Sequence, residues 1–325
     1  MDRFILSADD GFPLAAVRWL PRESPRAVLQ ISHGMAEHAG RYVRFAEACA
    51  AAGLAVYAHD HRGHGASVDA ATPRGHYADH AGWSKVVGDL ATVQGHLRAA
   101  HPELPIFVLG HSMGSFIARA HLLTHGHELA GAILSATGWR LGPVNRVLQW
   151  TASRQARKLG PSTPSTLMTK LVFGTFNVQF TPTRTGFDWL SRDASEVDSY
   201  AADPLCGFDC SGQLWADLLG GVSALEKDED DRERLRPGPP LLLVAGTRDP
   251  VSMGGFANSQ LAARYKAAGN ADITDRRYPG GRHELLNETN RDEVTRDLLA
   301  WIDERATSGA PASRRRQGGV RAAGT

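Results

Sequence analysis

The 325-residue chain is 42% hydrophobic and 22% charged, the make-up of an ordinary globular protein whose length suits one large α/β domain with an insertion. Its 36 Lys and Arg against 35 Asp and Glu leave no bulk charge to recruit a polyanion, which excludes a nucleic-acid partner from the expectations. Three cysteines are too few for a disulfide framework, and the Met1-Asp2-Arg3-Phe4 start shows neither a secretory leader nor a spanning helix, so a cytoplasmic protein is expected.

Residues 4–6 and 15–19 are β-rich runs around the turn signal Asp9-Asp10-Gly11, which predicts an opening hairpin. Continuous apolar runs follow at 27–31, 54–58, 106–109, 130–134 and 241–245, as in parallel strands buried on both faces. Helical spacing is read over 42–52, 83–100, 116–123 and 292–302, with a weaker strand at 273–278. Strands alternating with helices predict a mostly parallel sheet with helices on both faces, joined by right-handed crossovers.

That rhythm breaks after the 130–134 run, where Pro161, Pro164, Pro182 and Pro204 punctuate helix-like pieces. The division expected is a core over 1–138, a helical cap over 139–220, a second core segment over 221–307 and a disordered tail over 308–325. Inside the cap, Val144, Val147, Leu148 and Thr151 share one helical face while Arg146, Gln149, Arg154 and Arg157 occupy the rest. The expectation is a lid helix packed on the core by that apolar face; transient contact with a membrane surface is the alternative. The acidic run 226–233 reads as a solvated loop or helix face, and Cys206 and Cys210 as free thiols without the spacing of a zinc site.

The chemistry centres on Gly110-His111-Ser112-Met113-Gly114. With 34 glycines in the chain, a serine so flanked arises by chance roughly once in a hundred serines. Here, however, the pattern lies between a strand and a helix, the context of a strained nucleophile elbow. A serine nucleophile needs a base, and the base needs an acid that fixes its tautomer; in this arrangement the chain order is Ser, Asp or Glu, His. Asp249 follows the 241–245 strand at the carboxyl edge where open α/β sheets place their sites, and His283 follows the next strand behind Pro279-Gly280-Gly281. Asp275 and Glu284 lie off the loop after 241–245 and read as surface charge. Two backbone amides must meet the oxyanion: Met113, next to the nucleophile, and Met35, in the loop His33-Gly34-Met35-Ala36-Glu37-His38. The run His59-Asp60-His61-Arg62-Gly63-His64-Gly65 contains metal-ligand residue types without a helical His-Glu-x-x-His spacing, and reads as a tight loop bracing the site. No metal and no organic cofactor are expected.

Together, His33-Gly34-Met35-Ala36-Glu37-His38 with Arg41-Tyr42, Asp60-His61-Arg62-Gly63-His64-Gly65-Ala66-Ser67, the Ser112 motif, Asp203-Pro204-Leu205, Gly246-Thr247-Arg248-Asp249-Pro250-Val251 and Arg282-His283-Glu284 resemble the monoacylglycerol lipase and bacterial lysophospholipase group of α/β-hydrolases. The resemblance spans most of residues 1–305 and is weakest in the cap. It implies Ser112, Asp249 and His283 as triad, Met35 and Met113 as oxyanion-hole amides, and a cap over an acyl channel. The expected activity is hydrolysis of a lipid-like carboxylic ester through an acyl-enzyme. The alternatives are a short-chain esterase or thioesterase of the same fold, and an inactive module binding a hydrophobic ligand.

Overall fold

The computed structural model describes residues 1–140, 142–231, 234–235 and 238–308. Eight strands form one sheet: β1 (Asp2–Ser7), β2 (Pro13–Trp19), β3 (Ala27–Ser32), β4 (Leu54–His59), β5 (Ile106–His111), β6 (Gly131–Ser135), β7 (Leu241–Gly246) and β8 (Ile273–Tyr278). Their spatial order is β1-β2-β4-β3-β5-β6-β7-β8. β2 runs antiparallel to both β1 and β4, and all other pairs are parallel. This is the α/β-hydrolase arrangement expected from the sequence.

β3 through β7 are buried at every residue, which explains their unbroken apolar spelling. One face is covered by α2 (Gly82–Ala100), α3 (Met113–His125) and α8 (Phe256–Ala267), through Val86, Leu90, Ile117, Leu122 and Leu261. The other is covered by α1 (Val43–Ala51) and α9 (Arg291–Ser308), through Phe45, Ala46, Val294, Leu298 and Ile302. β8 is an edge strand and mostly solvated, so its pattern was weak. The expected tail lies outside the described residues apart from Ser308, which closes α9.

Between β6 and β7 the chain forms α4 (Pro143–Leu159), α5 (Thr166–Phe173), α6 (Ala194–Ala202) and α7 (Gly212–Asp228), an insertion at the place expected. The boundary drawn at 220 falls within α7. Two expectations need correction here. α4 packs by only part of its apolar stripe: Val144 and Val147 are 58% and 62% exposed, as is the neighbouring Trp150 at 59%, while Leu148 packs against the core, and Asn145, Ala152 and Ala156 are the buried positions. Ala152 and Ala156 face Gly212 of α7, where a Cβ would come within 3.0 Å of the Ala156 nitrogen. Asn145 Nδ2 donates to Leu219 O at 2.9 Å and Ser223 Oγ at 2.7 Å. Small residues permit the close approach and the amide ties it down, and Val144, Val147 and Trp150 remain outside. The acidic run is likewise not wholly solvated. Glu229 is fully buried and takes a bidentate pair from Arg119 of α3, at 2.9 and 2.6 Å, plus the Tyr265 hydroxyl at 3.0 Å. A buried carboxylate is tolerable only when so partnered.

Candidate active site

All the expected functional loops leave the sheet at the carboxyl ends of its parallel strands. β5 leads into Ser112, whose φ of 51° and ψ of −117° make it an elbow, with α3 starting at the next residue. A Cβ at Gly110 would lie 2.5 Å from Gly114 O, and one at Gly114 would run into the carbonyls of Ser32 and His33. Glycine at both positions is therefore a matter of space as β5 turns into α3.

Asp249, on the loop after β7, is 1% exposed, and its Oδ1 meets His283 Nδ1 at 2.8 Å. The Asp249 carboxylate also accepts the Val251 and Ser252 amides at 3.0 and 3.1 Å, which fixes its orientation. His283 comes from the loop after β8. That loop can approach because Gly246 has no Cβ: one there would strike the carbonyls of Gly281 and Arg282. Ser112 and His283 line one cavity of about 200 Å³ together with Gly34, Met35, Phe173 and Trp189. Among the described residues no hydrogen bond closes Ser112 Oγ to His283 Nε2, a contact that often tightens only with substrate bound. The amides of Met35 and Met113 likewise have no hydrogen-bond partner among the described residues, so both are free to donate.

Beneath the Met35 loop lies a network that the sequence reading missed. Glu37 Oε1 accepts Gly34 N–H at 2.5 Å and the Tyr42 hydroxyl at 2.9 Å, and Oε2 pairs with Arg41 at 2.9 Å. Arg41 reaches on to both oxygens of Glu284 at 2.5 and 2.7 Å. Glu284 is thus buried, correcting its reading as surface charge, while Asp275 is exposed as expected. Burial by itself would raise the Glu37 carboxyl, but Arg41 and then His111 hold it below the usual carboxylate range. Glu284 is lowered against burial in the same way, chiefly by Arg41. Burial and then His283 push His111 down to about 4, so it is neutral at pH 7. The available signals were the i,i+4 spacing of Glu37 and Arg41 and the adjacency of Glu284 to His283. Neither says that one guanidinium bridges the two loops.

The histidine-rich run braces the site. His33 Nε2 accepts the His61 amide at 3.0 Å, so its proton is on Nδ1 and donates to Gly34 O at 2.7 Å. Asp60 accepts the amides of Ala39 and Ala66, both at 2.8 Å. The rings of His33, His61 and His64 lie against one another, with His59 beside His61. Burial lowers all four imidazoles, His61 well under its ordinary value and His59 and His64 to about 3. Among the described residues, the three donor groups that do converge are elsewhere: His38, Asp203 and Cys206. His38 donates from Nε2 to Asp203 at 2.9 Å, since its Nδ1 accepts the Gly40 amide. Cys206, which has no zinc-site spacing in the sequence, meets a histidine that arrives from the core. All three cysteines are free thiols.

From the insertion come Trp189, whose ring centroid is 4.8 Å from that of His283, and Tyr200, which lines the cavity beside Phe187. No helix among the described residues is long and apolar enough to cross a membrane.

Residues 23–290 match the family described as serine aminopeptidase, S33. The chain is 33% identical over 284 residues to the monoacylglycerol lipase of Mycolicibacterium smegmatis, covering 87% of this chain and 90% of that protein. It is 28% identical to human monoglyceride lipase, over 94% and 91% of the two chains. A carboxyl esterase from Bacillus coagulans, solved with glycerol, superposes with a TM-score of 0.81 at 26% identity, over 94% of this chain and 98% of that one.

Proposed function

The chain belongs to the serine aminopeptidase S33 family of hydrolases, and from that premise we propose that it is a serine carboxylester hydrolase acting on a lipid-like ester of the monoacylglycerol or lysophospholipid kind. The observation that carries the reading is the 2.8 Å Asp249–His283 contact beside a cavity shared with Ser112 on its elbow. Apolar side chains of Met35, Phe173, Phe187, Trp189 and Phe208 line that cavity, which supports an acyl chain as the group received. Its relatives named above act, by name, on monoacylglycerols.

In the proposed reaction Ser112 Oγ attacks the ester carbonyl carbon while His283 Nε2 takes its proton, and Asp249 stabilises the resulting imidazolium through Nδ1–H. The Met35 and Met113 amides receive the oxyanion. Collapse expels the alcohol, which takes the proton from His283, and leaves an acyl-Ser112. Water, deprotonated by His283, then attacks that ester, and the serine recovers the proton as the fatty acid leaves. No step needs a metal or an organic cofactor. The acids that line the cavity, Glu37 and Glu284, both bind the Arg41 guanidinium, so each already has a cationic partner.

Transient contact with a membrane surface belongs to the same proposal. Val144, Val147 and Trp150 are exposed on α4, a helix that carries Arg146, Arg154, Arg157 and Lys158 and no acidic residue, as interfacial helices do. A cytoplasmic location also remains part of it, supported by three unpaired thiols. Fatty-acid release from monoacylglycerols, lysophospholipids, p-nitrophenyl esters and amino-acid p-nitroanilides tests the reading. Turnover of a glyceride or lysolipid that Ser112→Ala abolishes is the expected result; cleavage of the anilides alone, or full activity in Ser112→Ala, overturns it.

A further inference from the structure

The Met35 loop is held in an unfavourable shape. Ala36 has a φ of 54°, in the left-handed region that a residue with a Cβ adopts only when its surroundings impose it. What imposes it comes largely from the insertion. The Ala36 carbonyl accepts the Tyr200 hydroxyl at 2.9 Å and the Gly207 amide at 2.9 Å. Tyr200 Oη in turn lies 3.2 Å from the Gly207 nitrogen, so the three groups close a small ring of donors and acceptors. On the core side the loop is held by the Gly34 amide on Glu37. The peptide bearing the Met35 N–H is itself tied on the core side, its Gly34 carbonyl accepting His33 Nδ1–H at 2.7 Å, and two peptides further on the Ala36 carbonyl is tied by the insertion. Tyr200 itself is anchored: its ring is 4.9 Å from Phe187 and lies under the Arg41 guanidinium at 4.7 Å.

We propose that Tyr200 is a positioning residue for the reaction, its hydroxyl holding the Ala36 carbonyl so that the Met35 amide is aimed at the oxyanion. Without the hydroxyl only the Gly207 amide holds the Ala36 carbonyl, the positive φ of Ala36 is less firmly imposed, and the Met35 amide is aimed less accurately. The inference rests on the reading of Met35 as an oxyanion donor, and it makes the donor depend on the docked insertion. His38 with Asp203 forms a second tie across the same seam.

Tyr200→Phe removes the hydroxyl and keeps the ring's packing, and Gly207 N–H stays available to Ala36 O, so the variant is expected to fold with an unaltered Tm. With p-nitrophenyl butyrate, kcat falls about tenfold and KM stays within twofold, less than the loss from deleting an oxyanion donor outright. The second readout is inhibition by an alkyl trifluoromethyl ketone. Ser112 Oγ adds to its carbonyl carbon, His283 takes the serine proton, and the oxygen becomes the oxyanion that the amides hold. The inhibition constant rises by about the same factor as kcat falls, which lost packing alone does not produce. Unchanged kcat and unchanged inhibition in Tyr200→Phe, beside an inactive Ser112→Ala, overturn the positioning role and leave the hydrolase. An active Ser112→Ala enzyme overturns both.

Discussion

The sheet and the helical insertion obey different rules of burial. In β3 to β7 both faces are covered, every residue is buried, and apolar spelling translates directly into position. In α4 Val144, Val147 and Trp150 face outward, and the packed side is made by an asparagine, two alanines and a half-buried Leu148. Helical spacing identifies a stripe; it does not say whether that stripe meets protein, lipid or water. The machinery on the rigid sheet edge should therefore respond to mutation through chemistry, and the insertion through what it contacts.

The largest effect expected on the sheet side is that of Asp249→Asn. The amide cannot hold His283 in its tautomer, and steady-state kcat on p-nitrophenyl butyrate should fall by about 10⁴ with circular dichroism unchanged. A loss under tenfold breaks the assignment of the acid. Arg41→Met comes next and acts on stability, because it leaves Glu37 and Glu284 buried without their cation. A loss of about 3 to 5 kcal/mol is expected, read by urea denaturation at pH 7.5; an unchanged midpoint contradicts the bridging role.

The histidines under the Met35 loop supply the third test. Their imidazoles are neutral when folded, with His59 and His64 lowered to about 3 and His111 to about 4 against 6.5 ordinarily. Between pH 6.5 and those lowered values the unfolded chain binds protons that the native state does not. Stability is thus fully present above about pH 6.5 and is lost on acidification, each group contributing up to about 1.4 kcal/mol per pH unit. Among the described residues neither ring nitrogen of His59 has a hydrogen-bond partner. In His59→Phe the slope of stability against pH from 6.5 to 5 should fall by about one proton, and an identical slope contradicts it. The smallest effect belongs to the insertion. Val147→Ser with Trp150→Ser should leave stability within about 0.5 kcal/mol per site and p-nitrophenyl butyrate turnover unchanged, while co-sedimentation with anionic phospholipid vesicles drops. Undiminished co-sedimentation removes the membrane from the account.

The same division explains what was legible in the sequence. Every strand, the Ser112 elbow, and the loops of Asp249 and His283 could be read because each is local: an apolar run followed by the residues that its carboxyl end requires. The Arg41 bridge to Glu284 and the Tyr200 contact with Ala36 join residues 243 and 164 positions apart, and no local pattern encodes such a meeting. Glu229 looked like surface charge because its partner Arg119 lies 110 residues away. The face of α4 was partly misjudged because small residues, which carry little hydropathy, make its contact beside Leu148.

Covalent labelling tests the central claim most directly. Intact-mass and peptide mass spectrometry after treatment with a fluorophosphonate should show one adduct per chain, on the peptide containing Ser112, with loss of ester hydrolysis in proportion to labelling and no adduct in Ser112→Ala. An adduct on another residue, or labelled protein that retains its activity, would contradict the account.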